Sequence, residues 1–158
     1  MAEDEPRFFD YWSAVEPTFN SLSIHQSPRR FLAQFAKVGR PEQALFAAHW
    51  CQSEVLNGGL WQFFMNSTGV LCPEAVRAYK TIGMPLLSSV LAKAAGWFGK
   101  RYPRDLEKRR QLMSAAGWAW PCRGSPFKSE TKRFLKYHED EAGGFEDAAD
   151  RFAMENCG

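Results

Sequence analysis

Apolar side chains recur along this chain at helical spacing, and alternation at a period of two is almost absent, which restricts the fold to helix packed on helix. Phe8, Phe9, Tyr11, Trp12 and Val15 make an aromatic first helix that the Glu16-Pro17 step is expected to end or kink. Ser27-Pro28 reads as an N-cap followed by proline at the first helical position, ahead of Phe31, Leu32, Phe35 and Val38, with Gly39 closing the stripe. Pro41 opens a helix that carries Leu45, Phe46, His49, Trp50 and Val55 to Asn57-Gly58-Gly59, and a short helix then runs from Leu60 to Ser67, ending at Gly69. Pro73 starts the next one, which stops at Gly83, and Leu86, Leu87, Val90, Leu91 and Ala94 form a buried stripe before Gly96. A basic helix begins at Tyr102-Pro103 and finishes near Gly117. The Gly- and Pro-punctuated stretch after it reads as an ordered loop anchored by Trp118 and Trp120, and helices over 127–138 and 145–155 close the chain.

The expectation is an all-α fold, a single compact domain of seven to nine short helices over 1–158. With 158 residues, 45% of them apolar and including 13 Phe and 6 Trp, the chain has material for a real core. A chain of this length buries roughly 70% of the surface exposed by its unfolded form.

The most informative segment is Glu54 to Gly69. Asn57-Gly58 terminates a helix because both residues accept left-handed backbone, and Gly59 lets a second helix start at once, so two helices meet at a tight corner. On the second helix Gln62 and Asn66 lie four apart and share a face, while Glu54 sits one turn before the corner. Its carboxylate is placed to accept from the exposed N–H groups at the start of the next helix. Two readings compete for Glu54, Asn57, Gly58, Gly59, Gln62 and Asn66: a satisfied polar network that fixes the corner, and the floor of a small polar pocket. The structural reading is the more economical, and on it Glu54→Ala or Asn57→Ala costs roughly 1–3 kcal/mol for an orphaned buried group.

The pattern E-V-x-N-G-G-x-x-Q-[F/Y]-F-x-N-S-x-G, followed by Ala75, Ala78 and the Ile82-Gly83 pair, resembles the bacterial domain family of a DNA-mimic protein's C-terminal domain. The resemblance is firm over about 42–96, vaguer over 5–40 and weak after 100. It implies an all-α, non-enzymatic module that works by protein–protein contact. It also implies a homodimer, with a DNA-binding regulator or a toxin as the partner. Competing for a DNA-binding surface demands a strongly negative face, since phosphate electrostatics dominates that affinity.

Charge in this chain is sharply segregated around a net +2. Residues 1–16 carry −4, residues 139–155 carry −6, and the middle carries +12. Only the ends can supply a negative face, and the acidic closing helix is expected to fold back as an intramolecular partner for the basic run. That run contains Lys100, Arg101, Arg104, Lys108, Arg109 and Arg110, and Lys128, Lys132, Arg133 and Lys136 extend it. A solvated helix face laced with pairs such as Asp105–Lys108/Arg109 is its simplest reading. A nucleic-acid-associated protein using the basic 100–136 region is the alternative function, and a small-ligand pocket at the Asn-Gly-Gly corner is a third.

Enzyme chemistry finds little support. Catalytic and nucleotide-binding motifs are absent, and His49 and Cys51, two apart on a helix, face different ways. Four cysteines without a C-x-x-C and three histidines at unsuitable distances make no metal site, and no cofactor is implied. The acidic start is unlike a signal peptide, and the longest apolar stretch is too short for a membrane span, so a cytoplasmic protein is expected.

Overall fold

The computed structural model describes residues 9–118 and 127–158. Among these the chain is helical with no strand: α1 (Tyr11–Ser21), α2 (Pro28–Phe35), α3 (Arg40–Met65), α4 (Cys72–Ile82), α5 (Pro85–Ala95), α6 (Leu106–Ala115), α7 (Lys128–Asp140) and α8 (Phe145–Asn156). Short 3-10 turns occupy Ser67–Leu71, Gly96–Phe98 and Glu141–Gly143. The all-α expectation holds. Phe8, Trp120 and Cys122 lie outside the described residues, as does the loop expected after Trp118.

α3 is the central element, and α1, α4, α6, α7 and α8 all pack on it. Phe31, Phe46, Phe63, Phe64, Tyr79, Phe134 and Phe145 are each buried to within 1% of full enclosure, so the aromatic supply goes into one continuous core. α4 and α5 form a hairpin turning at Gly83, where the Met84 N–H donates to the Tyr79 carbonyl at 2.7 Å.

Four expectations are corrected. α1 runs through Pro17, because the proline removes a single backbone donor while the face bearing Tyr11, Ala14, Val15 and Thr18 is buried. Asp10 caps this helix, its carboxylate accepting the Ser13 N–H at 2.9 Å. α2 ends at Phe35 rather than Gly39, and the Gln43 side chain donates to the Val38 carbonyl at 2.7 Å. The basic helix begins at Leu106, not at Tyr102-Pro103, with Asp105 as its cap. Finally, α8 does not cover the basic run: it packs on α1, α3 and α4, while α6 lies against α3 and the Ser67–Leu71 turn. The apolar stripe Phe145, Ala148, Ala149 decides that, since burying it outweighs exposed ion pairing.

Candidate functional site

The Asn-Gly-Gly corner divides α3 into two limbs. Gly58 has φ −153°, and Gly59 has φ 74° with ψ −179°, a conformation essentially confined to glycine. The bend therefore lies one residue later than an Asn57-Gly58 cap implies. The Leu60 N–H, which opens the second limb, donates to Thr131 Oγ1 of α7 at 3.1 Å.

Glu54 is thus not the cap of that limb. It is buried and accepts from side chains instead: Gln62 Nε2 at 2.6 Å and Asn66 Nδ2 at 3.1 Å on one oxygen, Thr68 Oγ1 at 2.8 Å on the other. Asn57 Nδ2 donates to Gln62 Oε1 at 3.1 Å from an exposed position. The structure therefore brings together Glu54, Gln62 and Asn66, adds Thr68 and Thr131, and leaves Asn57 on the outside. All the donors to the carboxylate are neutral side chains. Removing the acceptor by Glu54→Ala should cost about 2–3 kcal/mol, whereas Asn57→Ala, at an exposed site, should cost under about 0.5 kcal/mol by thermal unfolding.

The basic run is only half a surface. Arg109 is fully buried. Its Nε donates to the Phe64 carbonyl at 2.9 Å, Nη2 to the Asn66 carbonyl at 2.8 Å, and Nη1 to the carbonyls of Arg104 at 2.7 Å and Pro103 at 3.1 Å. Gly69 admits it, because a Cβ there would lie 2.9 Å from Nη2. Arg110 Nε donates to the Met65 carbonyl, and Arg104 reaches the Val70 carbonyl and the Glu74 carboxylate, both at 2.6 Å. Three arginines thus collect the carbonyls where α3 ends and the next turn begins. Lys100, Arg101 and Lys108 remain exposed.

The acidic residues divide in a similar way. Asp150 accepts the Tyr11 N–H at 2.9 Å, Asp10 caps Ser13, and Glu141 accepts the Leu86 and Leu87 N–H groups at 2.8 and 2.9 Å, so these three neutralise helix N-termini. Glu16, Glu139, Asp140, Glu146, Asp147 and Glu155 are exposed. Among the described residues the ion pairs involve only Glu74, Glu107 and Glu130, so none of those six is neutralised.

Between α1 and α7 runs a chain of polar side chains for which the sequence offers only the i, i+4 spacing of His49 and Ser53. Tyr11 Oη lies 3.0 Å from His49 Nδ1, and Ser53 Oγ lies 3.4 Å from His49 Nε2. Gln52 Nε2 donates to Ser53 Oγ at 3.0 Å, and its Oε1 is 2.9 Å from His138 Nε2. Burial lowers the His49 pKa to about 4 and lowers that of His138 as well. An unfolded imidazole takes its proton near 6.5, so stability should fall as pH drops from 6.5 to about 4. The loss from His49 is about 2 kcal/mol after discounting for solvent, and urea midpoints across that window should flatten in His49→Gln. Cys51 takes no part, being fully enclosed with its thiol pKa pushed up by burial.

Among the described residues no cluster of His, Cys, Asp and Glu is arranged to hold a metal ion, and no described helix is long and apolar enough to cross a membrane. The model of the DMP19-like protein family matches residues 36–156, well over half of the sequence. The chain belongs to that family. The match reaches far beyond residue 96 and takes in α6, α7 and α8. The family is one of DNA-mimic proteins. No curated protein and no solved structure matches it.

Proposed function

We propose that this chain is a non-enzymatic binding protein that presents the acidic side chains of α1, the end of α7 and α8 to the basic, DNA-contacting surface of a DNA-binding regulator. The observation that carries the reading is the set of six exposed carboxylates that have no ion-pair partner among the described residues, on elements that pack together or follow one another. Desolvating such groups against arginine and lysine gives steering and specificity. A toxin with a basic working surface meets the same chemistry and is the second partner class. A homodimer belongs to the proposal, with Leu86 and Met154, exposed at 50% and 55%, as apolar contacts for a second copy; sedimentation tests it. Such partners place the protein in the cytoplasm.

The corner residues Glu54, Gln62 and Asn66 are read as architecture, holding the two limbs of α3 at their angle. Direct nucleic-acid binding is the weaker reading, because Arg104, Arg109 and Arg110 are engaged with carbonyls.

The test is association with a basic DNA-binding protein of the host, with duplex DNA as competitor. Duplex DNA should displace the chain, and affinity should fall steeply with salt. Changing Glu16, Glu146 and Glu155 to Gln together with Asp147→Asn should weaken binding by about 100-fold, roughly 0.7 kcal/mol for each of the four exposed charges. Equal binding by that variant removes the reading. Saturable binding of DNA by the chain itself, lost on neutralising Lys100, Arg101 and Lys108, moves the protein to the nucleic-acid class.

A further inference from the structure

A cavity of about 490 Å³ opens where α1, α3, α7 and α8 meet. This volume lies within the roughly 300–1,000 Å³ of ordinary ligand sites. Its lining is of two kinds. Leu56 and Leu135, exposed at 53% and 38%, are two of the few large apolar side chains that the described surface leaves in water. Glu139, Glu146 and Asp147 line the same cavity and have no ion-pair partner among the described residues. Deeper in, the rings of His138 and Phe145 stack with centroids 5.5 Å apart, and Tyr11 meets Phe145 edge-on at 5.4 Å.

Apolar walls beside uncompensated carboxylates suit a ligand with a hydrocarbon stem and a cationic head. Among protein side chains only lysine and arginine have both. The clustered carboxylates select between them, because the planar, weakly hydrated guanidinium pairs with a carboxylate two bonds at a time.

We propose that this cavity receives an arginine side chain from a basic partner, its stem along Leu56 and Leu135 and its guanidinium on the carboxylates of Glu139, Glu146 and Asp147. The assignment rests on the acidic-face reading above and sharpens it. The partner is not merely attracted by the field of α1 and α8 but anchored at one point. An anchor of this kind converts a diffuse, salt-sensitive attraction into a registered contact. A smaller hollow of about 340 Å³ shares Tyr11 and Glu146 with the cavity and is also lined by Asp10 and Asp150, the two carboxylates that cap the start of α1.

The probe is a blocked tri-arginine peptide titrated into the full chain and followed by amide chemical shifts, with a tri-citrulline peptide as the uncharged isostere. Saturable shifts should concentrate at Leu56, Leu135 and residues 143–147, and the citrulline peptide should give none at the same concentration. The double variant Glu139→Gln with Glu146→Gln should weaken the peptide about tenfold, while Glu155→Gln, at the far end of α8, should change it less than about twofold. Leu135→Ser, at an exposed position, should weaken it about fivefold at unchanged net charge, which pure field attraction does not produce. Shifts spread evenly over the acidic surface, or equal losses from Glu155→Gln and the cavity variants, overturn the assignment. The two readings fail separately. A DNA-binding protein that binds the acidic face regardless of the cavity variants defeats the anchor alone. A peptide that binds the cavity when no DNA-binding protein associates defeats the proposed function alone.

Discussion

Arg109→Ala is expected to lose about 4 kcal/mol or more of folding stability, a large share of the roughly 5–15 kcal/mol that a domain possesses. The guanidinium is fully buried and feeds four backbone carbonyls, those of Phe64, Asn66, Pro103 and Arg104, which lie on two segments distant in sequence. Removing it leaves these acceptors without donors in a dry site and opens a cavity besides. Arg109→Met, which keeps the stem, separates the two costs: its deficit relative to wild type is the hydrogen bonding, and the step from Met to Ala is the packing. Arg109→Lys should recover less than half, since one ammonium cannot serve acceptors spread across a planar fork. Urea midpoints decide the matter, and a loss under about 1 kcal/mol for Arg109→Ala would mean that those carbonyls find other donors.

Gly59→Ala should cost about 3 kcal/mol, well above the usual 0.5–1 kcal/mol scale of a strain-free glycine exchange. Two effects add. The backbone at φ 74° and ψ −179° is one that side-chain-bearing residues avoid, and a Cβ would lie 3.2 Å from Thr131 Cγ2 and 3.3 Å from its hydroxyl. Moving Thr131 aside breaks its bond to the Leu60 N–H, so the second limb loses both its angle and its cap. Hydrogen exchange at residues 60–65 should report the loosening first, because that limb is short and its start is anchored on α7. Protection there equal to wild type would show the strain absorbed elsewhere.

Local signals in the sequence were sufficient wherever the physics is local. Ser27-Pro28 opens α2 and Gly83 closes α4, each through groups within a few residues of one another. Pro17 misleads because its cost is local while its compensation, the burial of Val15 and Thr18, is tertiary. Arg109 is the instructive case. Its three-residue spacing from Leu106 and four-residue spacing to Met113 place it on the apolar stripe of α6, which is the trace a buried arginine leaves, but a run of neighbouring positive charges disguises it as surface. At the corner, the four-residue spacing of Gln62 and Asn66 puts both on one face of the second limb, and the bend at Gly58-Gly59 turns that face onto Glu54. Thr131, which caps the second limb from 71 positions away, has no local signature at all. The direction in which the acidic helix packs is equally non-local, and charge complementarity is a poor guide to it because exposed pairs are worth so little.

Cys51 and Cys72 are fully enclosed, unbridged, and held as neutral thiols by their surroundings. Since only the thiolate in contact with solvent reacts, neither can be alkylated from the closed state. Their modification therefore acts as a clock for opening events: the first sits on α3, the second at the start of α4. Whether the two positions label together or in succession tells whether those helices part in a single concerted rupture or peel away one after the other.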